Sequence, residues 1–274
     1  MVRRRRRRAL GQHWLVSDRH LERIAAAADF AAQEAVIEVG PGTGNLTRRL
    51  LGRARRLIAV EVDEALAQAL PARLGHPPNL TVVAGDVLAM TPLELLSLAD
   101  ATPPYVVVGN LPYAIGTAVV RHFLRASPPP RWLLVMLQRE VAEAIVAPPG
   151  RMTALSVEVQ LLARPRLLGL VPPAAFRPPP RVHSALLRLE VRPEPALALD
   201  DLDAFLALVQ AGFAAPRKQL RNSLAIGLSL PPPAAAEAIA AAGLAPERRP
   251  GTLALEEWGR LYWAASALGT LARA

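Results

Sequence analysis

Apolar and polar positions along this chain separate into short blocks. Residues 36–39, 57–62, 80–83 and 105–108 are runs with little polar interruption, the composition of strands covered on both faces of a parallel sheet. Helical patterns alternate with them. Asn45 and Leu46 open one that continues through Leu51, and Asp63 is placed to cap another that runs to about Leu74. Ahead of the first strand, Asp18 is a good N-cap for a helix reaching Ala28. Residues 132–137 predict a further strand, and residues 138–147 an amphipathic helix with Val141, Ala144 and Ile145 inward. Residues 156–162 and 185–191 read as strands that close the sheet. Alternating strands and helices predict a doubly wound, Rossmann-like α/β domain. Arg192-Pro193-Glu194-Pro195 then reads as a linker, and the pattern beyond it is helical over 202–213, 218–228, 234–242 and 254–271, with Gly243 ending the third helix. The expected division is an α/β domain over residues 1–192, with a basic arm at 1–10, and a small all-α domain over 193–274.

The turns between these elements carry the chemistry. The first strand runs into Gly40-Pro41-Gly42-Thr43-Gly44, where missing side chains let backbone approach a ligand closely. A dinucleotide fold prefers the G-x-G-x-x-G spacing; here it is G-x-G-x-G, with Glu38 just before the turn. Glu61, at the end of the second strand, can accept hydrogen bonds from both hydroxyls of a ribose, and no Walker lysine follows. A ligand with a ribose and a cationic tail in place of phosphates fits, and S-adenosylmethionine is that ligand. Asp86 follows the third strand, placed either to accept from an adenine amino group or simply to cap a helix.

The fourth strand leads into Asn110-Leu111-Pro112-Tyr113, the most specific signal in the chain. The amino nitrogen of adenine is a poor nucleophile because its lone pair is delocalised into the ring. The Asn110 side-chain oxygen and the Leu111 or Pro112 carbonyl can each accept one amino hydrogen and turn that lone pair toward a sulfonium methyl. Tyr113 can stack on the base. Orientation supplies most of the help in such an in-line transfer, and no strong general base is needed. A proline-rich segment from Pro172 to Ser184 projects Phe176, which either sandwiches a flipped base opposite Tyr113 or belongs to the core.

Charge changes the picture of the partner. Thirty-two basic residues against 23 acidic ones leave a formal charge of +9, which favours a polyanion. Arginine richness with a single lysine, Lys218, is also what a GC-rich genome produces. Residues 3–8 are all arginine, equally a solvated tail or a phosphate-binding arm; Arg217, Lys218 and Arg221 form a second basic group. The absence of cysteine excludes disulfides, thiolate zinc sites and cysteine nucleophiles, and the five histidines are scattered without metal-ligand spacing. No apolar run reaches membrane-spanning length and no signal peptide is visible, so a soluble cytoplasmic protein is expected.

Taken in order, GQHWL, EVGPGTGNLT, AVEVD, GDVL, GNLPYAIGT, the Gln138-Arg139-Glu140-Val141 run, FRPPPRVHSALLRL and RKQLRNSL resemble the kasugamycin-sensitivity family of ribosomal RNA adenine N6,N6-dimethyltransferases over nearly the whole chain. The resemblance implies a class I S-adenosylmethionine-dependent methyltransferase sheet with a small helical C-terminal domain. It implies dimethylation of two adjacent adenosines near the 3′ end of small-subunit (16S) rRNA during ribosome biogenesis, on a pre-30S particle and by a monomer. Family cofactor contacts carry over to His13, Leu15, Gly40, Gly42, Glu61, Asp86 and Asn110, and target-adenine contacts to Asn110, Leu111, Pro112, Tyr113 and Phe176; no metal is implied. Trp14 departs from the smaller residue, usually Phe, common at its position, and the loop from Gly150 to Ser156 lacks the family's Tyr-Gly pair. The erythromycin-resistance branch, which modifies large-subunit (23S) rRNA, shares the Asn-x-Pro-aromatic motif. A non-catalytic assembly factor and a small-molecule methyltransferase are the rivals from other classes.

Overall fold

The apolar runs become strands because burial on both faces leaves their backbone groups only each other as hydrogen-bond partners. The computed structural model describes residues 13–31 and 34–271; the arginine run at 3–8 lies outside them. After a two-residue strand β1 (Trp14–Leu15) come β2 (Ala35–Val39), β3 (Arg56–Glu61), β4 (Leu80–Ala84), β5 (Tyr105–Asn110) and β6 (Trp132–Gln138). Then follow β7 (Ala163–Val171), β8 (Phe176–Arg177) and β9 (Ser184–Val191). Seven of them form one sheet in the order β4-β3-β2-β5-β6-β9-β7, while β1 and β8 form a separate ribbon. The five strands from β4 to β6 are parallel and β9 runs antiparallel to β6. The chain winds outward from β2 through β3 to β4, then returns to place β5 on the other side of β2. The crevice at the carboxyl ends of β2 and β5 is therefore the topological switch point, where doubly wound sheets bind ligands.

Local signals set the helices around this sheet. Asp63 accepts from the Ala65 and Leu66 amides and starts the helix Glu64–Leu74. The helix Asp18–Ala27 begins one residue earlier than the sequence suggests: Ser17 is its N-cap residue, and Asp18 instead pairs with Arg49. Two elements that the sequence pattern passed over, Pro92–Ser97 and Gly116–Leu124, cover the return from β4 through β5 to β6; the first carries a reciprocal Thr91–Glu94 capping box.

The described chain packs as two compact units. One runs up to Ala142 and resumes over Pro165–Val191, and holds the sheet; the other comprises Glu143–Arg164 and everything from Arg192 onward. In this second unit lie the helices Ala154–Leu162, Leu202–Gly212, Leu220–Gly227, Pro232–Ala241 and Leu255–Ala267. The first of these corrects the strand expected at 156–162. Ser156, Val157, Glu158, Val159 and Gln160 alternate polar and apolar, which imitates strand period. Thr153, however, accepts from the Ser156 amide as an N-cap, and Ser156 and Glu158 are buried along with the valines. Gln160 Nε2 donates to the Ile145 and Ala147 carbonyls, so its amide serves the end of a neighbouring helix. Among the described residues no single helix is long and apolar enough to cross a membrane.

Candidate active site

The site is assembled where β2, β3, β4 and β5 end. β2 is buried at every residue and passes directly into the turn, where Gly40, Gly42 and Gly44 all take positive φ (71°, 56° and 85°), a region costly for residues with a Cβ. At Gly42 space forbids a side chain as well, since a Cβ would stand 2.9 Å from Cδ1 of Trp14. Trp14 thus lies directly against the turn. The Gly42 amide donates to Glu61 Oε2 at 3.0 Å, and the Asp63 amide donates to Oε1 at 3.0 Å. Glu61 is only 3% exposed; burial pushes its carboxyl above the usual range, opposed by these backbone donors. Each carboxylate oxygen keeps a further acceptor position for a ligand hydroxyl. Asp86 Oδ1 accepts from the Leu88 amide at 3.0 Å. Capping and ligand contact are not exclusive there, because the same exposed carboxyl lines the cavity described next.

A cavity of about 230 Å³ opens at this point, lined by His13, Trp14, Gly40, Gly42, Glu61, Asp86, Val87, Asn110, Leu111, Pro112 and Tyr113, with Val39, Val60, Val62, Gly85, Ala114 and Ile115. Asn110 closes β5 and donates from Nδ2 to the His13 carbonyl at 2.9 Å. A carbonyl can only accept, so the amide orientation is decided: the NH2 group faces His13, and Oδ1 remains as an acceptor. The Leu111 amide donates to the Met136 carbonyl, and the Pro112 carbonyl accepts from the Ile115 amide. That bond ties Pro112 into the next turn and favours Leu111 as the second acceptor for an amino group. Tyr113 is half-buried, its hydroxyl 2.7 Å from Ser184 Oγ, and its ring lies 5.7 Å from that of His13 at a tilt of 36°. Burial raises the phenol above its ordinary value, with the Ser184 bond opposing and Glu140 adding to the shift. His13 Nδ1 donates to the Pro178 carbonyl at 2.8 Å, which leaves Nε2 as the unprotonated nitrogen of a neutral ring.

Two expected site residues are not in the lining of this cavity. Leu15 and Phe176 face each other in the β1–β8 ribbon, 4% and 1% exposed, and both belong to the hydrophobic core. Phe176 is therefore corrected from a base-stacking group to a core residue: burying an aromatic ring outweighs its projection from the proline segment. Leu15 still reaches a smaller side cavity, and its carbonyl accepts from Asn45 Nδ2 at 2.8 Å. Sequence reasoning missed Ser184 and Pro178, which hold Tyr113 and His13. Both lie more than sixty residues from the groups they fix, so no local pattern could expose them.

The large cavity is lined by two carboxylates and by no lysine or arginine. Such a donor set suits ribose hydroxyls, an amino-purine and a positive centre, and does not suit a phosphate tail. The residues present thus fit S-adenosylmethionine. Among the described residues no cluster of metal-ligating side chains occurs.

Residues 3–262 match the family model described as ribosomal RNA adenine dimethylase. This chain belongs to that family. It is similar to a curated relative from Dehalococcoides mccartyi, ribosomal RNA small subunit methyltransferase A, at 42% identity over 93% of this chain and 87% of the relative. The crystal structure of the 23S rRNA methyltransferase ErmE superposes with a TM-score of 0.71 at 30% identity, covering 92% of this chain and 99% of that one. A dimethyladenosine transferase from Plasmodium falciparum superposes with a TM-score of 0.78, at 22% identity and over 94% and 98% of the two chains; this second likeness concerns the fold. Membership of the family accords with the class I methyltransferase sheet and with S-adenosylmethionine as the methyl donor.

Proposed function

We propose that this protein dimethylates the N6 amino groups of two adjacent adenosines near the 3′ end of small-subunit rRNA, in the cytoplasm, during ribosome biogenesis. The observation that carries the reading is the Asn110 amide, held by the His13 carbonyl so that its oxygen stays free as an acceptor beside Tyr113. Bound S-adenosylmethionine supplies a methyl group on an electrophilic sulfonium. Asn110 Oδ1 and the Leu111 carbonyl each accept one hydrogen of the adenine amine and aim its lone pair. Tyr113, braced by Ser184, provides a face for the extruded base, whose unstacking costs a few kcal/mol that RNA contacts must offset. After the first transfer the amine rotates and the same acceptors orient it for the second. Glu61 and Asp86 hold the ribose and adenine of the donor.

Arg217 and Lys218 are exposed just ahead of the helix Leu220–Gly227, with Arg221 half-buried in its first turn. They supply a phosphate-facing patch on the helical unit, and a monomer acting on a pre-30S particle is the form we expect. Curated relatives named for the small subunit, at 42% identity, favour that substrate over the large-subunit one suggested by the 30% likeness to ErmE. The test is incubation with labelled methyl donor and small ribosomal particles lacking the modification, followed by mapping and mass spectrometry. We expect two adjacent dimethyladenosines near the 3′ end. Asn110→Ala should be slower by about 10²–10³-fold, the scale for one preorganised polar group, with RNA binding retained. Label in large-subunit RNA only, a product that stops at monomethyladenine, or an Asn110→Ala enzyme as fast as wild type would overturn the reading.

A further inference from the structure

The mechanism above leaves one buried carboxyl unused. Glu38, in the middle of the fully buried β2, is 1% exposed, and its Oε2 has no hydrogen-bond partner among the described residues. An unpaired buried carboxyl is costly. The neighbouring Thr47 hydroxyl does not reach hydrogen-bond geometry, and its own oxygen is likewise unpartnered. Glu38 lines a side cavity of about 30 Å³ that shares Trp14, Gly40 and Asn110 with the donor cavity, and it is the side cavity's one ionisable lining residue. Charged and titratable groups nearby are Glu61 from β3 and, across the donor cavity, His13, Asp86 and Tyr113; no arginine or lysine lines either space. Burial, with Glu61 adding to it, pushes the Glu38 carboxyl up to about 8, against a smaller opposing effect of Thr47. Without a ligand, therefore, it carries a proton at neutral pH.

The donor's geometry says what belongs there. Its adenosine end is accounted for by Glu61 and Asp86, and its reacting carbon must face Asn110 and Tyr113. The amino-acid end, with its ammonium group, is left for the side that opens past Gly40 and Asn110. We propose that Glu38 is the counter-ion of that ammonium group, and that it releases its proton to solvent when the donor binds. The proposal rests on the donor site described above. One O–H bond of the carboxyl breaks, the proton leaves to water, and a carboxylate–ammonium pair forms in its place. Pairing with a cation offsets the desolvation that keeps the empty site protonated.

Linkage gives the sign. Where free Glu38 is protonated, binding releases one proton, so affinity rises about tenfold per pH unit between pH 6 and 7. It levels near pH 8, and then falls as the ligand's own amine, ordinarily titrating at about 7.7–8, loses its proton. Calorimetry of the full chain in buffers of different ionisation enthalpy tests this. S-adenosylhomocysteine, which keeps the ammonium group, should release about one proton at pH 6.5. Methylthioadenosine, which lacks the amino-acid end, should bind without releasing any. Glu38→Gln should remove the rising limb for S-adenosylhomocysteine and weaken it about tenfold at pH 8, with its thermal melt recorded to establish folding. Equal proton release by both ligands, or none by either, overturns the proposal and leaves the donor site standing; a water trapped against a neutral Glu38 gives the second result. If neither ligand binds at any pH, the donor site itself falls and the proposal with it.

Discussion

Asn110 and Tyr113 show how little of a side chain's role lies in its identity. Each is oriented by one hydrogen bond to a distant partner: Asn110 to the His13 carbonyl, Tyr113 to Ser184. The sequence suggests that stacking alone matters at Tyr113; the 2.7 Å contact adds an anchor for the ring. Tyr113→Phe and Ser184→Ala should each slow methyl transfer modestly, by roughly three- to tenfold, the worth of about one hydrogen bond of about 1 kcal/mol. The double variant should be no slower than the worse single, because both remove the same bond. Single-turnover rates that multiply would show the two residues acting separately. Tyr113→Ala, which removes the stacking face as well, should be slower than any of these.

At the scale of elements, the glycine turn works because three ends meet it: β2 feeds it, Glu61 of β3 caps it, and Trp14 of β1 covers it. Gly42→Ala must place a Cβ at φ 56° and 2.9 Å from Trp14. The left-handed backbone alone costs about 1–2 kcal/mol, and displacing Trp14 loosens the cover of the donor cavity. Urea unfolding should show a loss of that size together with weaker donor binding. Gly52, at φ −66° with no atom near its missing Cβ, is the control: Gly52→Ala should be neutral or slightly stabilising. Equal stability of the two variants would mean that the turn tolerates what its geometry forbids. The helix Ala154–Leu162 carries the opposite lesson. Its alternating residues imitate a strand, and only the Thr153 cap and burial all round reveal the helix.

For the whole molecule, the excess positive charge should appear as salt-dependent RNA binding. If roughly six phosphates are neutralised, log affinity falls against log salt with a slope of about −4 to −5. Replacing Arg217, Lys218 and Arg221 with alanine should make the slope shallower by up to about 2–3. Deleting the first eight residues tests the arginine run in the same way. A slope that neither change alters would leave both groups as solvated surface.

The sequence by itself determined the parallel strands, the G-x-G-x-G turn, Glu61 and the Asn-Leu-Pro-Tyr run, because each is a local pattern whose chemistry sits within a few residues. The turn residue Asp63 even announced its helix, since a cap acts over three positions. Only the tertiary structure decided what depends on residues far apart in the chain. Phe176 pairs with Leu15 and goes into the core, although its proline-rich surroundings suggest exposure. The segment Glu143–Arg164 packs with the C-terminal helices, although the chain returns to the sheet after it. Glu38 looks in sequence like one more acidic residue before a glycine turn; burial under Trp14 and beside Glu61 makes it a protonated carboxyl without a partner. Local sequence carries backbone preference and residue chemistry, whereas burial, and with it charge state and orientation, is a property of what packs around a residue.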